Sequence, residues 1–90
     1  MTILIRNKEE INYITDFEDM YIKEPSKDDN FYSLYVDTRS TGFYIYKNED
    51  RKEVMEVFNY IADEIEYGYK IGKEKIYIDL NTFWKEIKNE

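Results

Sequence analysis

The fold of this chain is decided by residues 53–69, whose sequence is EVMEVFNYIADEIEYGY. Their apolar side chains recur every three or four positions, which is the spacing of one helix face that packs on a sheet. The members of this apolar stripe are Val54, Val57, Phe58, Ile61, Ala62 and Ile65. Asp50, with Glu53 three residues later, predicts a capping box at the start of a long amphipathic helix. Gly68 predicts the left-handed residue that ends it.

The opposite face of the predicted helix is acidic. Residues 53–69 contain five carboxylates and no lysine or arginine. Asp63, Glu64 and Glu66 fall in the predicted last turn, where they face the negative end of the helix dipole at a cost of about 0.3–1 kcal/mol per charge. Such breaks of a local rule concentrate at functional sites. We therefore predict a partner-binding surface formed by Glu56, Tyr60, Asp63, Glu64, Glu66 and Tyr67. The alternative is a face that is only solvated.

Alternation of apolar and polar residues predicts β-strands on both sides of this helix. Strands are expected at Ile3–Arg6, Phe17–Lys23, Phe31–Asp37, Gly42–Lys47 and Ile76–Leu80. Residues 38–42 have turn chemistry, so the third and fourth of these strands are predicted to form a β-hairpin. Ile11–Ile14 is either a strand or a helical turn. The segment Glu24–Asn30, which contains the single proline, is a loop.

Aromatic residues occupy both faces of the predicted strands. In the hairpin, one face holds Tyr32, Leu34 and Val36, and the other holds Phe31, Ser33 and Tyr35. In the strand before it, Met20 and Ile22 share one face while Phe17 and Tyr21 share the other. One hairpin face must cover the core, so the other exposes tyrosines or is buried by a partner. The chain has ten tyrosines, a residue enriched at protein interfaces. A genome of low GC content also raises tyrosine usage, so both explanations stay open.

The C-terminal region predicts a short helix that Asn81 or Thr82 can cap. Its apolar side chains are expected to close one end of the core: Phe83, Trp84 and Ile87. Trp84 is interpreted as a core residue, with an anchor for a partner as the alternative. The ninety residues, 1–90, form a single domain. The predicted fold is α+β, an antiparallel sheet of four to five strands with the long helix packed on one face and the short C-terminal helix at its edge.

The composition excludes most enzyme classes. The chain has no cysteine and no histidine, so it lacks Ser-His and Cys-His pairs, a base that titrates near neutrality and the ordinary ligands of zinc. Three scattered glycines do not form a phosphate-binding loop. Asp28-Asp29-Asn30 lacks the glycine and the terminal glutamate of a calcium loop. We therefore expect no catalytic residue, no metal and no cofactor.

The charge balance points to the class of partner. Twenty acids against thirteen bases give a net charge of −7, and a field of this sign repels phosphate backbones and anionic membranes. It attracts basic protein surfaces and speeds the encounter with them. The apolar run Ile3–Ile5 is too short for a signal peptide or a membrane span. We expect a cytoplasmic protein with a basic protein partner and no direct contact with nucleic acid or membrane.

A resemblance to known proteins rests on the hairpin and three segments: ILIRNKE at residues 3–9, FEDMYI at 17–22 and RKEVMEV at 51–57. Over about residues 3–68 the chain resembles small acidic proteins of Gram-positive phages and mobile elements. That class includes inhibitors of bacterial defence systems, among them anti-CRISPR proteins that block the nucleic-acid channel of a nuclease with carboxylates. The resemblance implies an inhibitor that mimics nucleic acid and binds a nuclease or CRISPR effector. It carries over no catalytic residue.

The preferred prediction is thus a non-enzymatic protein-binding module that acts as an inhibitor. Two other functions stay open. One is an oligomer that sequesters a nucleotide signal, which requires cations in a pocket between subunits, and Arg6, Arg39 and Lys70 are the candidates. The other is a regulatory or structural subunit that pairs with itself through a sheet edge, which makes a homodimer possible.

Overall fold

A computed structural model describes residues 1–88, and it describes side chains through Lys85. The elements in chain order are β1 (Thr2–Asn7), β2 (Glu10–Thr15), β3 (Phe17–Lys23), β4 (Tyr32–Thr38), β5 (Gly42–Asn48), α1 (Arg51–Lys70), β6 (Lys75–Asp79) and α2 (Leu80–Lys88). The α+β class, the hairpin and both helices are confirmed. Ile11–Ile14, for which two interpretations were open, is part of strand β2. Neither helix in this part of the chain is long and apolar enough to cross a membrane.

The strands form two three-stranded sheets, so the prediction of one antiparallel sheet of four to five strands is wrong. One sheet has the order β2-β1-β6 and the other has the order β3-β4-β5. Two features explain the difference. Asp16 has φ 53°, a left-handed backbone that cannot continue a strand, so β3 starts a new sheet after β2. In addition, β6 pairs with β1 in the parallel direction, a long-range pairing that local sequence patterns do not encode.

Both sheets and both helices contribute to one core. Its side chains are fully or almost fully buried: Ile3, Ile5, Ile14, Leu34, Val36, Ile45, Val54, Val57, Ile61, Ile76, Ile78, Leu80 and Phe83. Helix α1 packs against β3, β4, β5 and β6, while α2 packs on β1. The apolar stripe predicted for α1 therefore faces the sheets. Phe17 also packs on the core rather than beside Tyr21, because the register of β3 shifts between Phe17 and Asp19.

The start of α1 matches the prediction in part. Asp50 is the N-cap, and its carboxylate accepts a hydrogen bond of 3.0 Å from the backbone N–H of Lys52. In a capping box the side chain of Glu53 would accept the backbone N–H of Asp50. Here the side-chain oxygen of Asn48 accepts that N–H instead, at 2.8 Å. Two backbone N–H groups at the helix start, those of Asp50 and Lys52, thus gain side-chain acceptors.

The predicted end of α1 at Gly68 is wrong. The helix continues to Lys70, its C-cap is Ile71, and the left-handed residue is Gly72 with φ 78°. Gly68 is instead a buried position inside the helix. A Cβ atom built on it would lie 2.7 Å from both Cγ1 and Cδ1 of Ile76, so the missing side chain allows α1 to approach β6 closely.

Replacing Gly68 with valine is therefore expected to lower the free energy of unfolding by about 1–3 kcal/mol through overpacking. The measurement is chemical denaturation of Gly68→Val, Ile76→Ala and the double variant. We expect the double variant to lose less free energy of unfolding than the two single variants lose together, because Ile76→Ala removes the atoms that the valine meets. Simple additivity of the two effects would show that the two residues are independent and would contradict this packing.

The N-terminus of α2 also differs from the prediction. Asn81 or Thr82 was the predicted cap, but the cap is Asp79. The carboxylate of Asp79 accepts a hydrogen bond of 2.9 Å from the backbone N–H of Asn81. The Asn81 side chain instead accepts the backbone N–H of Lys8 at 2.7 Å and donates to the Lys8 carbonyl at 3.3 Å. Lys8 has φ 58° in the tight β1–β2 turn, so Asn81 holds a strained turn. The side chain of Ile87, another predicted core residue, lies outside the described part of the chain.

Candidate functional site

The predicted binding surface on α1 is brought together only in part. Glu56, Asp63, Glu66 and Tyr67 are solvent-exposed at helical spacing along one stripe, which we call the acidic stripe. Tyr67 keeps 61% of its surface exposed. Glu64 is half-buried beside this stripe. Asp63, Glu66 and Tyr67 line a shallow depression together with Lys70.

Tyr60 does not belong to the acidic stripe, and its predicted position away from the core is wrong. It is half-buried and packs against the core, with its ring centroid 4.9 Å from that of Phe83. The helical angle alone placed Tyr60 next to Glu56 and Asp63. Helix α2 covers that flank of α1, and no local pattern in the sequence shows where α2 docks.

The helix dipole also opposes the acids of α1 less than the predicted helix end implied. Because α1 extends to Lys70, its last turn contains a lysine, and Asp63, Glu64 and Glu66 lie before that turn. The dipole effect falls off within the last turn. Glu66 also stands four residues before Lys70, the favourable order for an acid and a base on one helix face. The acids are thus less unfavourable for the helix than their sequence position suggests.

A second depression lies on another side of the molecule. It has a volume of about 380 Å³ and is lined by Asn7, Lys8, Tyr46, Asn48, Glu53, Asn81 and Trp84. Two of its lining residues are aromatic, Tyr46 and Trp84, and their ring centroids lie 5.4 Å apart. The Trp84 centroid also lies 5.1 Å from that of Phe83. The sequence identified Trp84 as a core residue, and the half-buried ring with its neighbours agrees with that interpretation.

The amides around this cleft are used by the fold. The Trp84 indole N–H donates to Asn7 Oδ1 at 3.1 Å, and the Asn48 amide donates to the Tyr46 hydroxyl at 3.2 Å. Burial raises the pKa of Tyr46, the Asn48 hydrogen bond lowers it, and the carboxylate of Glu53 raises it again. With its pKa raised overall, Tyr46 stays protonated at neutral pH.

Among the side chains that the structure describes, up to Lys85, no group of three or more Asp or Glu carboxylates is arranged to hold a metal ion. Asp29, in the Asp28-Asp29-Asn30 segment, uses its carboxylate to accept the backbone N–H of Phe31 at 3.0 Å. That bond stabilises the loop between β3 and β4, so the segment has a structural use.

Most exposed tyrosines lie on the outer faces of the two sheets, which sequence reasoning located only for the hairpin. On the first sheet, Leu4 is flanked by Tyr13 and Tyr77, which are 62% and 55% exposed. On the second, Tyr35 is flanked by Tyr21 and Tyr44. These rows depend on strand register, and register is set by pairings that a single strand sequence does not reveal.

Comparison with protein families, with curated proteins and with solved structures finds no match to this chain. The candidate surfaces are therefore interpreted from their own geometry and charge.

Proposed function

We propose that this chain is a non-enzymatic protein-binding module that docks its acidic stripe on a basic protein surface. The class of partner that fits is a protein whose basic groove holds nucleic acid, such as a nuclease or CRISPR effector. By occupying that groove, the chain acts as an inhibitor of the kind encoded by phages and mobile elements.

One observation carries this proposal: three exposed carboxylates and one exposed tyrosine lie along one side of helix α1. Among the described residues, the salt bridge present joins Arg51 to Glu24 at 3.8 Å, away from the acidic stripe. The carboxylates of Glu56, Asp63 and Glu66 thus keep their charge available to a partner. Tyr67 adds an exposed amphipathic ring, the residue type that anchors interfaces with little loss of conformational entropy.

The alternative of a nucleotide sponge gains less support from the geometry. Its three candidate cations stand on different elements: Arg6 on β1, Arg39 in the β4–β5 turn and Lys70 at the end of α1. None of the depressions described above contains two of them. A nucleotide phosphate would need several cations at one place.

The proposal is tested by neutralising the acidic stripe with Glu56→Gln, Asp63→Asn and Glu66→Gln in one variant. A matched control, Glu9→Gln, Glu10→Gln and Glu18→Gln, makes the same change of charge at exposed positions on the strands and the β1–β2 turn. Immobilised wild type, variant and control are used to capture proteins from the presumed host, and mass spectrometry identifies them. We expect basic proteins to be retained by wild type and control and lost by the stripe variant.

Salt provides a second measure for any partner captured in this way. Charge attraction at an exposed surface is screened over about 8 Å at physiological ionic strength, so affinity should fall steeply as salt rises. Equal capture by wild type and stripe variant, or an affinity that does not change with salt, would contradict the proposal and leave the stripe as a solvated face.

A further inference from the structure

The outer face of the β3-β4-β5 sheet carries three rows of side chains that run across the strands. The acidic row contains Asp19 and Asp37, which are directly paired. The tyrosine row, two residues further along the strands, contains Tyr21, Tyr35 and Tyr44 in register. The basic row contains Lys23 and Lys47, paired on either side of Ser33. Leu34 and Val36 point the other way, into the core.

The rings and ammonium groups of this face are already ordered. The rings of Tyr21 and Tyr35 have centroids 5.6 Å apart. Lys23 Nζ lies 5.2 Å from the Tyr35 centroid, and Lys47 Nζ lies 5.0 Å from that of Tyr44. Such contacts hold the lysines over the tyrosine row at little further entropy cost on binding. Tyr44 is 54% exposed and Tyr21 is 37% exposed, so the face is open to a partner.

Gly42 permits this arrangement. It pairs with Asp37 across the strands, and a Cβ atom built on it would lie 2.6 Å from Asp37 Oδ1 and 3.0 Å from Cε1 of Tyr35. The carboxylate and the ring therefore lie over the glycine backbone. The tyrosine row and the acidic row form one compact surface as a result.

The acidic row is unfavourable for an isolated chain. Like charges directly opposite each other on neighbouring strands destabilise a sheet, and Asp19 and Asp37 are such a pair. Neither carboxylate has a salt bridge among the residues that the structure describes. The pattern suggests that the missing cations come from outside the chain.

We propose that this face is the interface of a two-fold symmetric homodimer. A two-fold axis along the tyrosine row places the basic row of a second copy over the acidic row of the first. The same rotation places the acidic row of the second copy over the basic row of the first. The two tyrosine rows then pack on each other between two charged borders of opposite sign. Such self-complementarity is what an isologous interface requires.

The same charges argue against other occupants. Nucleic acid stacks on aromatic rows, but it needs an excess of cations, and here two aspartates balance two lysines on a chain of net charge −7. A protein of unrelated sequence would have to reproduce both borders in the right order. A second copy has them by symmetry.

The test is sedimentation equilibrium from about 1 µM to about 500 µM, the range expected for a small interface. We expect wild type to pass from monomer to dimer. The variant Lys23→Asp with Lys47→Asp makes both borders acidic, and Asp19→Lys with Asp37→Lys makes both basic. Each alone should dimerise at least about 100-fold more weakly, because like charges then face each other.

The decisive sample is an equal mixture of the two variants. Opposite borders meet again in a mixed pair, so the mixture should form a heterodimer with affinity close to that of wild type. Its recovery also shows that both variants are folded. A control, Lys52→Asp with Lys73→Asp, changes the charge equally on exposed residues of other elements and should dimerise as wild type does.

A wild type that stays monomeric over the whole range would overturn the proposal. Dimerisation of wild type without recovery in the mixture would place the interface elsewhere and would equally overturn it. The variant with a neutralised acidic stripe should still dimerise, so this inference and the proposed function can fail separately.

Discussion

Ile61→Ala is expected to lower the free energy of unfolding by about 2–5 kcal/mol. Ile61 lies in the middle of the buried face of α1 and has no solvent exposure. Removing three carbon atoms there leaves a cavity where the helix meets the sheets, and the rigid surroundings fill it only in part. The measurement is the shift of a urea or thermal unfolding curve that is monitored by circular dichroism.

The matched control is Ile71→Ala. Ile71 has the same side chain but is 51% exposed just after the helix, so its loss should stay within about 0.5 kcal/mol. If the two substitutions lowered the free energy of unfolding by similar amounts, Ile61 would not pack in the core as described.

Trp84→Ala is expected to cost about 3 kcal/mol, the lower end of the range for removing a large aromatic side chain, because the ring is half-buried. The ring packs against Tyr46 and Phe83, and its N–H donates a hydrogen bond of 3.1 Å to Asn7 Oδ1. The loss should loosen the contact of α2 with β1 as well as open the cleft. Chemical denaturation measures the stability, and the near-ultraviolet signal of the remaining aromatic residues reports the packing.

Trp84→Phe separates packing from hydrogen bonding. It keeps an aromatic ring but loses the indole N–H, so we expect a loss of about 1 kcal/mol. If Trp84→Ala were no more destabilising than Trp84→Phe, the ring would contribute little to stability. The alternative of Trp84 as an anchor for a partner would then become the better interpretation.

Local physics determined what could be predicted from the sequence. The apolar stripe of α1, the hairpin β4–β5 and the N-cap Asp50 depend on neighbours within a few residues, and all three are found in the structure. The parallel pairing of β1 with β6 depends on residues about seventy positions apart. No periodicity within either strand indicates such a partner, so the number of sheets was predicted wrongly.

The same distinction explains the candidate sites. Tyr67 is exposed, as its angle on the helix predicts. Tyr60 is instead covered by Phe83, which belongs to helix α2. Gly68 has the residue type of a helix end, but its side of α1 faces Ile76. The three rows on the second sheet appear only when the register of three strands is known.

The parallel pairing of β1 with β6 has a consequence for the newborn chain on the ribosome. Until residues 75–79 have been synthesised, the β1–β2 hairpin has an open edge on β1 where β6 will later pair. Open strand edges are sites of mistaken association between chains. Pairing across so long a loop is also slow. The pairing of β6 with β1 is therefore expected to be a slow step in folding, and it is complete when the side chain of Asn81 bonds the Lys8 turn.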